Sequence, residues 1–483
     1  MLRTFIAFTV VGMSGVGLAG GAEFPPAATQ PILPPGIPWS GKSRALVVDR
    51  SDPWITPCEA SDFRFSPGYD DTVAWLRKLV ESSPELKMLS LGQSPDGRDI
   101  WMVVASKERA FTPSELRATG KPTFLAQAGI HSGEIDGKDA GMMLLRDIAA
   151  RKTKSDLLDG ANFLFVPIFS VDAHENASAY HRSNQRGPEI TGWRTTSRNL
   201  NLNRDYAKVD SAEMRAMVRA LNEWSPDLYY DIHVTDGADY QYDITWGCNG
   251  EHAHSPQSAR WMRQVLTPAV ENDLRNAGHI PGMLVFASDP VEFRKGLREM
   301  TAEPRYSHGY GDARHVPSIL VENHALKPYD QRVLGTYVLL EATLRELARS
   351  GKDLRSAVER DRAARPDEVP LAFGTSDEPA QVIDFLGIDY RTEPSEITGA
   401  TVTRWLGKPL SMRIPYVRTS KPTVTVKRPK AYWIPPSRTD VIERLKLHGI
   451  AVESIAEPRE IDVTMYRIEN PKLAAEPFEG HVT

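Results

Sequence analysis

The stretch Thr123-Phe-Leu-Ala-Gln-Ala-Gly-Ile-His131-Ser-Gly-Glu134-Ile-Asp-Gly-Lys-Asp-Ala-Gly-Met-Met-Leu-Leu145 decides how the chain is read. An apolar run of strand length, 123–128, ends in a glycine-containing loop, and apolar residues at helical spacing follow over 138–151. Strand, loop and helix in that order open an α/β unit. In such folds the loop at the carboxyl end of a strand carries the chemistry. This loop holds His131 and Glu134, an imidazole and a carboxylate, two of the ligand types that zinc takes. Alone, the pair is better explained as polar residues in a loop before a helix. Its partners must come from elsewhere.

Outward from this stretch the alternation continues. Val73, Leu76, Leu79 and Val80 predict an amphipathic helix over 72–80, and 86–94 and 99–106 form a hairpin about Pro95-Asp-Gly-Arg98. A buried strand is expected over 163–169, with Pro167 weakening it locally. A helix follows from Ser211, a plausible N-cap. Short apolar strands fall at 228–232 and 318–321, and a leucine-rich helix at 337–348. Strands alternating with helices argue an α/β domain with a buried, parallel or mixed sheet. After about residue 350 the pattern changes. A charged helix or linker covers 353–368, a β-branched polar region 401–427, then come a short helix at 440–448 and a strand-like 451–455. These read as a smaller β-rich appendage. The expected extents are a leader at 1–22, an extended proline-rich arm at 23–66, a catalytic domain at 67–350, and a linker with the appendage at 351–483.

The 483 residues exceed one small domain, and 41 % hydrophobic with 25 % charged residues is ordinary globular composition. A formal charge of −5 gives no reason to expect nucleic acid as a partner. Arg3, the uncharged apolar run 4–19 and the small residues Gly20-Gly-Ala22 have the form of a cleavable export signal, and the apolar run is shorter than the ~20 residues a membrane span needs. A periplasmic or secreted protein is expected. Cys58 and Cys248 are the two cysteines, and sequence leaves open whether they pair.

Unusual polar residues follow each central strand: His131 and Glu134, then Asp172 and His174, then His233, then Glu322, Asn323 and His324. In a parallel arrangement these emerge at one edge and share one crevice. His131, Glu134 and His233 make a two-histidine, one-carboxylate zinc set with an open position, the layout of a catalytic site. Glu322, at an apolar strand end, has the chemistry of a general base for water and an acid for a leaving amine.

His131-Ser-Gly-Glu134, Asn201-Leu-Asn203-Arg204, Asp231-Ile-His233 and Leu320-Val-Glu322, with the hairpin segment Leu91-Gly-Gln-Ser-Pro-Asp-Gly-Arg98, together resemble the zinc carboxypeptidases related to carboxypeptidase A. The resemblance covers about 70–345. It implies a central mixed sheet flanked by helices, one zinc ion and hydrolysis of a peptide bond at a C-terminal residue. It further implies His131, Glu134 and His233 as metal ligands, Glu322 as catalytic, and Asn203 with Arg204 as the clamp for the substrate's terminal carboxylate. An arginine that stabilises the oxyanion is implied upstream of that pair; Arg186 has the better spacing, and Arg182 stays open. A mobile substrate-binding tyrosine is implied in 305–311, with Tyr310 preferred to Tyr306. Asn201 departs from the family, which often has Asp there to orient a ligand histidine. Two other functions fit the same residues: a zinc amidohydrolase acting on acylated amino acids or cell-wall peptides, and a zinc-binding domain without catalysis.

Overall fold

The computed structural model describes residues 33–467, 469–477 and 479. The expected export signal at 1–22 and the first part of the arm lie outside the described residues. The rest of the arm is not simply extended. It carries a 3-10 turn, Lys42–Leu46, and a short helix, Pro57–Ala60, and Cys58 is fully buried in the core.

The strands are β1 Leu86–Gln93, β2 Asp99–Ala105, β3 Thr123–Ala128, β4 Asn162–Val166, β5 Leu228–Val234, β6 Ile244–Gly247, β7 Pro281–Met283, β8 Leu297–Arg298 and β9 Ser318–Asn323. All but β8 form one eight-stranded sheet in the order β1-β2-β4-β3-β5-β9-β6-β7. β4, β3, β5 and β9 are mutually parallel, whereas β1–β2, β2–β4 and β6–β9 pair antiparallel. The sheet is therefore mixed, with its parallel strands at the centre. β4 stops at Val166 because Pro167 has no N–H to offer a neighbour.

Both faces are covered, which is why the central strands read as apolar runs rather than alternating ones. Phe124, Ala126, Phe163, Phe165, Tyr230, Ile232 and Val321 face one core with Leu144, Leu145, Leu339 and Leu340 from the helices Asp136–Ala149 and Tyr329–Ala363. Leu125, Leu164, Val166 and Tyr229 face the other, with Met214, Met217, Val218 and Leu221 of the helix Ala212–Trp224. That helix begins where expected, the Ser211 side chain accepting from the backbone N–H of Met214.

The largest departure from expectation is at the C-terminal side. The leucine-rich helix runs unbroken from Tyr329 to Ala363, through the expected boundary near 350. Beyond it lie β10 Glu368–Gly374, β11 Gln381–Pro394, β12 Thr401–Val417 and β13 Lys421–Lys427, then the helix Thr439–Leu447. These strands bear out the β-rich reading, but 451–455 forms no strand. The appendage is welded to the main body: β12 pairs with β8, and Phe385, Tyr390, Met412 and Ile414 share a core with Tyr240, Phe293 and Leu297.

Candidate metal centre and active site

The parallel centre delivers the strand ends to one edge. In β5, side chains alternate, so Tyr230 and Ile232 enter the core while Asp231 and His233 share the opposite face. His233 pairs in register with Glu322 of β9, bringing base candidate and ligand candidate side by side. The loop after β3 adds His131 and Glu134. Potential ligand atoms of His131, Glu134 and His233 all lie within 4.8 Å of one another, and no other such group occurs among the described residues.

Both imidazoles present Nδ1 to Glu134, His131 at 3.1 Å from Oε1 and His233 at 2.9 Å from Oε2. Their outer nitrogens are held in place. His131 Nε2 donates to Asn201 Oδ1 at 3.0 Å, and His233 Nε2 donates to Asp231 Oδ2 at 2.7 Å. This fixes tautomer and ring orientation, leaving two Nδ1 atoms and one carboxylate convergent, a donor set that fits zinc. Burial pushes the Glu134 carboxyl up, but the attraction of His131 and Arg182 outweighs it and holds Glu134 well below the usual carboxylate range. Burial pushes His131 down. Burial alone would also push His233 down, but Asp231 and Glu134 outweigh it and raise it.

Gly133 explains why the loop is tolerated. An added Cβ there would lie 2.5 Å from Arg182 Nε, because Arg182 crosses over the loop to donate to Glu134 Oε1 at 2.6 Å. Gly192 has a related role: a Cβ would meet Ala173 O at 2.7 Å and Ser132 Cβ at 2.8 Å. That close approach lets Trp193 O accept from Ser132 N, and it sets the following residue, Arg194, beside the cluster. Arg194 Nη1 is 3.4 Å from His131 Nδ1 and 3.5 Å from Glu134 Oε1.

The expected residues fall into two groups. Glu322 lies on the cluster's edge, and its Oε2 is buried without a hydrogen-bond partner among the described residues. Burial pushes its carboxyl up to about 8; His233 draws it down while Glu134, Asp236 and Asp231 push it further up. Arg204 is mostly buried, its guanidinium 4.5 Å over the Tyr306 ring. Arg186 is elsewhere: its guanidinium donates to the backbone carbonyls of Leu326, at 2.9 Å, and Pro34. The guanidinium groups at the cluster are those of Arg182 and Arg194. Tyr310 also points elsewhere. It sits within the helix Ser307–Ala313, packed on Tyr206, with its hydroxyl 2.9 Å from His448 Nδ1. Tyr306, one residue before that helix, is the tyrosine that packs against Arg204. Asn203 turns inward, its Oδ1 accepting from Ser307 N at 2.9 Å and its Nδ2 lying 3.3 Å from His233 Nε2. The amide beside Arg204 is Asn201's, whose Nδ2 and the Arg204 Nε both meet the carboxylate of Glu479, the latter at 3.1 Å.

Arg194, Asp231 and Glu479 had no assigned role in the sequence. Asp231 was findable, because two residues apart on a strand means one face. Arg194 and Glu479 depend on distant segments meeting. His174, His252, His254, His308 and His324 do not join the metal group. Cys58 and Cys248 are free thiols.

Residues 72–278 match the zinc carboxypeptidase family model. The chain is 21 % identical over 441 residues to Carboxypeptidase 2 of Trichophyton rubrum, covering 88 % of this chain and 76 % of the relative. Two solved structures are similar to it. One is the metallo-carboxypeptidase from Pseudomonas aeruginosa in complex with (2-guanidinoethylmercapto)succinic acid, at 18 % identity and TM-score 0.43 over 59 % of this chain and 69 % of that one. The other is the metallo-carboxypeptidase from Burkholderia cenocepacia, at 17 % identity and TM-score 0.42 over 58 % and 68 %. The matched family and these relatives are carboxypeptidases, which are hydrolases. All three residues of the candidate metal group lie inside the matched segment, over which the chain is similar to the zinc carboxypeptidases.

Proposed function

We propose that the protein is an exported, zinc-dependent metallopeptidase that releases C-terminal residues from peptides, with one zinc ion held by His131 Nδ1, His233 Nδ1 and the Glu134 carboxylate. The observation that carries this reading is the convergence of that donor set with a carboxylate-binding corner. Arg194 touches the metal group on one side and, through the Glu479 carboxylate, shares a ligand with Arg204 on the other. The leader-like residues 1–22 support export.

When bound, zinc supplies Lewis acidity: it polarises a carbonyl oxygen, acidifies water and draws neighbouring carboxyl pKa values down. The chain's own groups do the rest. Arg204 and the Asn201 amide hold the substrate's terminal carboxylate, a charge-assisted contact stronger than a neutral one. Tyr306 closes over that corner. Arg194 donates to the oxygen on which charge develops, where a fixed donor in a partly dry site counts most. Glu322 Oε2, buried and unpaired, takes the proton of the attacking water and returns it to the departing amine. Arg182 neutralises and orients Glu134.

Metal content read by elemental analysis, alongside turnover of a peptide with a free C-terminus, tests this. One zinc per chain is expected, with activity lost on chelation and restored by zinc. His131→Ala and His233→Ala should each lose both zinc and activity. Full turnover in the chelated protein would end the proposal.

A further inference from the structure

The chain's last described residue returns to the site. After the helix Thr439–Leu447 no regular element occurs among the described residues, and 449–467 and 469–477 are exposed throughout. Glu479 is different: its side chain is only 28 % exposed, because it enters the carboxylate corner. Its Oε2 accepts from Asn201 Nδ2 and lies 3.1 Å from Arg204 Nε. Its Oε1 is 3.4 Å from Arg204 Nη2 and 3.5 Å from Arg194 Nη2. These are the groups assigned above to the substrate's terminal carboxylate and to the developing oxyanion.

We infer that the C-terminal tail is a built-in competitive inhibitor, with the Glu479 carboxylate standing where the terminal carboxylate of a peptide substrate binds. The inference rests on the clamp reading of Arg204. The two carboxylates are the same functional group, so one guanidinium fork and one amide cannot serve both at once. Glu479 offers a side-chain carboxylate within the chain, not a chain terminus, so it fills the clamp without presenting a C-terminal residue for release. Tethering raises its local concentration to the millimolar order typical of short flexible links. The preceding described residues, 449–467 and 469–477, are exposed, so displacement by substrate breaks few other interactions. The ion pairs remain partly exposed, so salt weakens the closure.

Steady-state kinetics of the full-length Glu479→Gln chain test the inference, using a peptide with a free C-terminus. KM is expected to fall by about 3–10-fold with kcat unchanged, the result of restoring a competent fraction that the tail had held back. Glu479→Asp should fall between parent and Glu479→Gln. A second readout does not need catalysis. A synthetic peptide of residues 471–483 should bind the Glu479→Gln chain by calorimetry, zinc-loaded or chelated, and the same peptide with Gln in place of Glu479 should not. Unchanged KM with no peptide binding would overturn the inference. The underlying clamp is checked separately by Arg204→Gln in the Glu479→Gln background. If Arg204→Gln raises KM there while Glu479→Gln alone changed nothing, the clamp stands and the tail inhibitor falls. If Arg204→Gln leaves KM unchanged, both fall.

Discussion

Asn201 shows what a single residue contributes at this site. Its Oδ1 accepts from His131 Nε2 and from the backbone N–H of Asn203, at 3.0 and 2.9 Å, while its Nδ2 donates to a carboxylate in the Arg204 corner. Aspartate would orient His131 with a charge but would repel that carboxylate. Asn201→Asp is therefore expected to tighten zinc binding by about 10-fold, within the range of such outer partners, and to raise KM for free-C-terminus peptides. Competitive zinc titration and steady-state kinetics check the two halves. Glu322→Gln should lower kcat by about 10²–10⁴-fold while zinc content is kept, because the proton carrier alone is removed. The convergence of His131, Glu134, His233 and Glu322 was legible in the sequence because each stands at or just after the end of an apolar strand. Tyr306 and Tyr310 were not separable there. Helix geometry separates their placement, burying Tyr310 inside the helix and leaving Tyr306, before it, against Arg204. Arg186 had a suitable spacing, but spacing carries no information on whether a loop carbonyl captures the guanidinium first.

At the scale of elements, the β5–β9 pair and the loop after β3 were legible from period and turn residues, and they alone bring four site residues together. The arm before the main domain was not, since its anchoring is tertiary. Ser43 Oγ is 2.8 Å from His279 Nε2, and His279 Nδ1 is 2.7 Å from Asp243 Oδ2, which also accepts from Gln331 Nε2 at 2.9 Å. All four side chains of this relay are buried, so it pins the arm rather than attacking a substrate. His279→Ala should cost about 1–3 kcal/mol of stability by leaving buried partners unsatisfied, with KM unchanged. Denaturant unfolding beside peptide kinetics checks this. In the helix Ala212–Trp224, burial pushes the Glu213 carboxyl up to about 7. Because the fold holds the proton more tightly than the unfolded chain does, stability is full below the ordinary glutamate pKa and declines as pH rises towards 7. Glu213→Gln should therefore melt higher than the parent at pH 8, by about 1 °C per kcal/mol recovered in a chain of this size, and match it at pH 4. Thermal melts at the two pH values read this directly.

Across the whole molecule, composition placed the β-rich region correctly but not its boundary. A helix that spans 329–363, a strand pair between β8 and β12 and a shared aromatic core tie the appendage to the body. None of those contacts is local, so no window of sequence contains them. The same holds for the tail that brings Glu479 to residues 201 and 204. The main body and the tail thus meet where Glu479 reaches Asn201, Arg204 and Arg194, and the proposed function fixes what that corner should recognise. The most direct check is a mass-spectrometric digest of two peptides identical except for a free or amidated C-terminus, run with zinc-loaded protein. Stepwise loss of residues from the free peptide, with the amidated one cut far more slowly, is the predicted result. Equal cleavage of both, or cleavage within the chain alone, would contradict it.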